Sequence, residues 1–232
     1  MIQLAFDLPR RTALGRPDFL IAECNASAIG WIDHWPDWPA GALVLHGPAG
    51  CGKTHLAHLW CERASAIIRS GETLNDEAIA GFAAEHRNRV AIDDADRAPE
   101  QALLHLHNFC LESRGNVLII ARRAPAFWQI GLHDLRSRLR AAVSVGIGPP
   151  DDALLGAVLI KHFADRQLSV GPGLIAYLIR RIERSFAAAA GIAARLDAAA
   201  LREKSAITVA LARNVLAEVG QSFSPPSDLG VT

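Results

Sequence analysis

The chain has 232 residues, half of them hydrophobic, and its 24 Lys+Arg balance 24 Asp+Glu to a formal net charge of zero. That length suits one large or two small domains, and the charge balance excludes a chain-wide basic field that would draw nucleic acid. No apolar run approaches the ~20 residues of a membrane span, and the scattered Cys24, Cys51, Cys61 and Cys110 match neither a disulfide framework nor a zinc site, which predicts a reducing, cytoplasmic setting.

The chain opens MIQLAFDLP, where Leu4, Phe6 and Leu8 alternate with Ala5 and Asp7 and so share one face of an extended segment. After the turn-rich RRTALGRPDF, the stretch AECNASAIGWIDHW predicts a helix stopped by Pro36, Pro39 and Gly41. GALVLHG then reads as a short buried strand running into a glycine-rich turn. Helix and strand alternate from there: KTHLAHLWCERA, AIIR, LNDEAIAGFAAEH, RVAIDD, PEQALLHLHNFCLES, NVLIIA, LHDLRSRLR and AVSVGI. Apolar strands alternating with helices predict an α/β fold with a parallel sheet covered on both faces.

From Asp151 onward only helical patterns remain, so Pro149 and Pro150 mark the expected boundary with a small helical domain. The expected organisation is an N-terminal tail over 1–12, an α/β body over 13–149, a helical domain over 150–220 and a C-terminal tail over 221–232.

Gly47, Pro48, Ala49, Gly50, Cys51, Gly52, Lys53 and Thr54 form a complete GxxxxGKT between a predicted strand and a predicted helix. In that context the glycines let backbone amides converge on phosphates at a helix N-terminus. Lys53 would reach the outer phosphates of ATP or ADP, and the Thr54 hydroxyl would hold Mg²⁺. Such a loop needs a carboxylate at the end of a neighbouring strand, and RVAIDD supplies Asp93 for the metal's water shell and Asp94 to polarise an attacking water. His55 follows directly on the first turn of the same helix.

The order GPAGCGKTH, VAIDDAD, NVLIIARRAP and LRSRLR, followed by a helical lid, resembles the AAA+ module of bacterial initiators of the DnaA type. The opening QLAFDL, NASAIGWIDHWPDWP, and an end where a DnaA protein would continue into its helix-turn-helix domain are similar to the Hda family of DnaA inactivators, in its alphaproteobacterial form. The resemblance covers residues 1–220 and implies an AAA+ P-loop domain with an α-helical lid. It implies that Gln3, Leu4, Phe6 and Leu8 dock on the DNA polymerase III sliding clamp, the Gln3 amide by hydrogen bonds and the others in apolar pockets. It implies that Arg138 of Ser137-Arg138-Leu139 is a finger presented to ATP held by DnaA, with Arg136 and Arg140 as flanking alternatives. Arg184, ahead of SFAAAAGIAARLD, takes the place of a lid arginine that reaches the bound nucleotide.

One departure is visible. A small polar residue is expected after NVLIIA, and Ala121-Arg122-Arg123 stands there instead, which implies weak or no intrinsic ATPase activity. The implied function is stimulation of hydrolysis of DnaA-bound ATP, restraining initiation of replication, without direct sequence-specific DNA binding. Self-association through the nucleotide face stays open. The alternative is an AAA+ ATPase acting as a helicase loader or other replication accessory factor. Trp31, Trp35 and Trp38 are expected to cover the body near the adenine pocket or to pack under the preceding loop, because no Lys or Arg interleaves them as a base-stacking platform requires.

Overall fold

The computed structural model describes residues 20–221, with side chains through 218, so the proposed clamp-docking residues Gln3, Leu4, Phe6 and Leu8 lie outside the described residues. Contacts divide the described residues into two compact units, with the boundary between Pro150 and Asp151.

The first unit is built on β1 (Ala42–His46), β2 (Ile67–Ser70), β3 (Arg89–Asp93), β4 (Asn116–Ala121) and β5 (Val143–Gly146). They form one five-stranded sheet in the order β2-β3-β4-β1-β5, and every pairing is parallel. The strands carry apolar residues at consecutive positions because both faces are covered. Leu43, Leu45, Leu118 and Ile120 turn toward α1 (Glu23–Asp33) and α2 (Lys53–Ala64). Their neighbours Val44, Val117 and Ile119 turn the other way, toward α3 (Asp76–Ala84), α4 (Glu100–Glu112) and α5 (His133–Ala141). All six residues of β4 are buried, as the central strand of such a sheet must be. The registers pair His46 with Ala121 and Ile92 with Ile119, so the carboxyl ends of β1, β4 and β3 lie side by side.

Trp60 on α2 is fully buried, with Trp38 tilted against it at 5.1 Å and Trp35 edge-on at 6.5 Å. The Trp35 indole N–H donates to Asn116 Oδ1 at 3.0 Å, and the Arg89 guanidinium lies over the Trp35 ring at 5.4 Å. Asn116 and Arg89 are the first residues of β4 and β3, so Trp35 sits at the amino end of the sheet, away from the loop that follows β1. Of the two placements expected for these tryptophans, the structure has Trp35 and Trp38 packed beneath the loop rather than beside the phosphate cradle. They pack the 34–41 turn against α2, and truncating Trp60 to Ala would cost about 3–5 kcal/mol.

The second unit contains α6 (Asp152–Asp165), α7 (Pro172–Ile179), α8 (Phe186–Glu203) and α9 (Val209–Gln221). Their apolar stripes, with Leu159, Phe163, Leu178, Ala193, Leu196 and Ala212 all buried, close on a common core. Local signals set the helix starts: Asp151 Oδ1 accepts the Leu154 amide at 2.7 Å, and Ser185 Oγ accepts the Ala188 amide at 3.1 Å. Caps of this kind contribute about 1 kcal/mol each.

Candidate functional site

The loop 47–52 leaves the end of β1 and turns directly into α2. The Gly47 amide donates to the Ala121 carbonyl at 3.3 Å, which ties the start of the loop to the end of β4. A Cβ at Gly47 would collide with the Ile147 carbonyl oxygen, so this approach admits only glycine. Gly50 and Gly52 hold φ of +70° and +97°, a conformation that glycine adopts without steric cost. The first amides of the twelve-residue helix α2 consequently open onto the loop, with the positive end of its dipole behind them.

Lys53 is 8% exposed, unusual for a lysine, and its ammonium is held by the loop itself. Nζ donates to the carbonyls of Gly47 and Pro48 at 2.8 Å each and approaches Cys51 Sγ at 3.7 Å. Next to this cation, burial first and then the Lys53 charge keep the His46 imidazole below its ordinary pKa. Thr54 Oγ1 donates to Asp93 Oδ2 at 2.8 Å, spanning the strand end between α2 and β3. The Asp94 amide donates to Asp93 Oδ1 at 2.9 Å, and Asp94 itself adopts φ of +49°. His55 points from the exposed side of α2.

These residues suit a phosphate with a hard cation. The glycine cradle supplies space and amides, Lys53 supplies charge, and the Thr54 hydroxyl and Asp93 carboxylate are oxygen donors already in contact. Among the described residues no group of three or more His, Cys, Asp or Glu could hold a metal, so a magnesium ion here would complete its shell with phosphate oxygens and water.

The remaining expected residues lie on other elements. Arg138 is exposed on α5 with Arg136 and Arg140, and its charge acts on the buried His107 of α4. No local sequence pattern marks what fixes α5. The Glu100 carboxylate, on the first turn of α4, accepts the Gly131 and Leu132 amides at 3.0 and 2.8 Å, just where α5 begins. These two bonds hold the Glu100 pKa below its usual value. Arg184 stands in the helical unit, directly before the Ser185 cap of α8, and pairs with Asp152 Oδ1 at 2.9 Å. The departure at 121–123 also takes a definite form: Ala121 contributes its carbonyl to Gly47, and Arg122 Nε faces Asp94 Oδ1 at 3.9 Å.

A parallel sheet in this order, a glycine loop after β1, a carboxylate at the end of β3 across the intervening β4, and a following unit of helices define the AAA+ type of P-loop fold. No model of a known protein family matches the chain. It is similar to the chromosomal replication initiator protein DnaA of Thermomicrobium roseum, with 27% identity over 216 residues that cover 84% of this chain and 46% of that one. Domain III of the Thermotoga maritima replication initiation protein DnaA shares the fold at a TM-score of 0.75 and 15% identity, over 91% of this chain and 98% of that one. AMPPCP-bound DnaA from Aquifex aeolicus shares it at a TM-score of 0.62 and 16% identity, over 77% and 62% of the two chains. The chain thus has the AAA+ type of P-loop fold and is similar in sequence to DnaA initiators, and it spans about half the length of the curated relatives it matches, 46% and 45% for two of them. No helix among the described residues is long and apolar enough to cross a membrane.

Proposed function

We propose that this protein is a nucleotide-bound regulator of the Hda kind, acting on the initiator DnaA. The observation that carries the nucleotide half is the 2.8 Å hydrogen bond from Thr54 to Asp93 beside the cradle of Gly47, Gly50 and Gly52. ADP or ATP would be held by the loop amides, Lys53 and Thr54, with Thr54 and Asp93 as the protein's contribution to a magnesium site. A bound magnesium ion would neutralise charge on the phosphate oxygens. Similarity to DnaA over 84% of the chain, together with an AMPPCP-bound DnaA of the same fold, supports that assignment.

The regulatory half rests on the sequence. Gln3, Leu4, Phe6 and Leu8 would dock on the sliding clamp, and Arg138 would be lent to ATP held by DnaA, where an arginine supplied in trans accelerates hydrolysis by ~10³–10⁵. Arg184 would link the helical unit to this chain's own nucleotide. Ala121-Arg122-Arg123, in place of a small polar residue, suits a protein that turns over little ATP itself. A cytoplasmic location, and self-association through the nucleotide face, belong to the same proposal.

Two measurements test it. Clamp loaded on DNA, ATP-charged DnaA and this protein are combined and phosphate release is followed; stimulation that disappears with Arg138→Ala is expected, and unchanged hydrolysis with the intact chain overturns the regulatory reading. A pull-down with clamp compares the intact chain with Gln3→Ala/Leu4→Ala, and retention that is indifferent to the change removes the docking role. Phosphate release by this protein alone, insensitive to DnaA, would favour the autonomous loader-type ATPase.

A further inference from the structure

The amino end of the sheet, opposite the phosphate loop, carries a cluster of cations with no part in the nucleotide site. Ser65, Glu85, His86, Arg87, Asn88 and Arg89 line an open cleft of about 320 Å³ there. All six side chains are polar, and the one carboxylate among them, Glu85, is already engaged by Arg87 Nε at 3.3 Å. Basic residues in such a place commonly cap helix ends, since α2 stops at Ala64 and α3 at Ala84 and their last carbonyls attract cations. Arg89 does this, its Nη1 donating to the Ala64 carbonyl at 3.1 Å. Among the described residues the Arg87 guanidinium and the His86 ring bond no carbonyl, and the buried Nε of Arg89 has no acceptor at all. The cleft therefore holds more donors than the helix ends take up.

Two further observations point the same way. The Arg89 guanidinium lies over the Trp35 ring at 5.4 Å, and Trp35 is itself pinned to Asn116, so stacking and the Ala64 bond together fix the fork before any ligand arrives. Ser65 and His86 hold φ of +52° and +54°, where glycine would sit without cost, yet each keeps a polar side chain at the cleft wall.

We propose that this cleft is a binding site for a phosphate-type oxyanion, separate from the phosphate loop, with Arg87 and Arg89 as its charged donors and Ser65 and His86 beside them. Guanidinium groups meet a tetrahedral oxyanion in charge-assisted, bidentate fashion, a better match for Arg87 than the exposed Glu85. The inference stands whether or not a nucleotide occupies the phosphate loop. A free phosphate compound and the phosphodiester of a nucleic-acid strand present the same group to these residues, and the experiment separates them.

The full chain, labelled for nuclear magnetic resonance, is titrated at constant ionic strength with inorganic phosphate and, separately, with a short DNA duplex, following the amides of Ser65, His86 and Asn88 and the Nε–H of Arg89. Saturable shifts with inorganic phosphate are expected if the ligand is a free phosphate; tighter shifts with the duplex, lost steeply as salt rises, assign the phosphodiester. Arg87→Gln, at an exposed position that leaves the Trp35 stack intact, should weaken the effective probe about tenfold. Glu85→Gln, which removes the competing carboxylate, should tighten it about threefold. Lys53→Ala, at the far end of the sheet, should leave these shifts in place. Shifts that chloride reproduces, absence of saturation with both probes, indifference to Arg87→Gln, or loss of the shifts in Lys53→Ala each overturn the inference, and none of the first three touches the nucleotide site.

Discussion

Thr54 and Asp93, separated by 39 positions in the chain, share a 2.8 Å hydrogen bond that crosses the carboxyl end of β4. It brings together the first turn of α2 and the last residue of β3. If this pair is the protein's share of a magnesium site, Thr54→Ala and Asp93→Asn should each weaken Mg²⁺-ADP by about tenfold, about 1.4 kcal/mol. The penalty should vanish when titrations are repeated in EDTA. A penalty that is equally large without magnesium would mean that the two residues merely support the loop.

Gly47→Ala places a methyl group against the Ile147 carbonyl. Because the obstacle is backbone, no side-chain rotation relieves it, and a loss of about 1–3 kcal/mol in stability is expected from such overpacking. Denaturant melts of the variant and the wild type measure it directly. An unchanged midpoint would show that the loop has room to shift.

Glu100 should fix the start of α5. In Glu100→Ala the Gly131 and Leu132 amides lose their acceptor, so hydrogen exchange at these two positions should quicken while exchange in β4 is unaltered. If Arg138 acts on DnaA-bound ATP as proposed, that stimulation should fall with it, since the same helix carries the arginine. Exchange that stays slow at both amides would refute the strap.

His107 gives the protein a pH dependence of definite sign. Its ring is 1% exposed, neither nitrogen has a hydrogen-bond partner, and burial, followed by the Arg138 charge, holds the imidazole below its ordinary pKa. The unfolded chain therefore takes up a proton at a pH where the folded one does not, and stability falls as pH drops below about 6.5 toward the folded value. His46 and His162, also lowered chiefly by burial, add slope of the same sign. His107→Leu should be near neutral at about pH 7.5 and should narrow the gap between melts at about pH 7.5 and about pH 5.5. An unaltered gap would assign the slope to the other two histidines.

How much of this could be read from the chain follows from the range of each signal. β1, β3 and β4 announce themselves as apolar runs because they are covered on both sides, and α3, α6 and α8 carry their caps at Asn75, Asp151 and Ser185. Gly47 to Thr54 is a contiguous motif, and its alternation of strand, loop and helix identified Asp93 as its counterpart. Contacts between distant segments left no such trace. Trp35 meets Asn116 across 81 positions and so sits at the amino end of the sheet, where no local pattern could assign it. Glu100 looks like an ordinary acidic residue of a first helical turn until the fold brings Leu132 to it, 32 positions on. At 121–123 the sequence displayed the missing polar side chain, but only the fold showed that the Ala121 main chain fastens the loop and that Arg122 faces Asp94.

The bonds from Lys53 to Gly47 and Pro48 tie the ammonium to the main chain of its own loop. An incoming anion competes with two carbonyls already in place instead of with bulk solvent, so a single weakly charged group such as acetate or a monoester has little to offer the ammonium. Ligands bearing several adjacent negative charges overcome that competition because amides, helix dipole and lysine respond to them together. If the cradle takes a nucleotide as proposed, the lysine is thus already aimed by the main chain, and preference for polyphosphates over simple anions is the expected consequence.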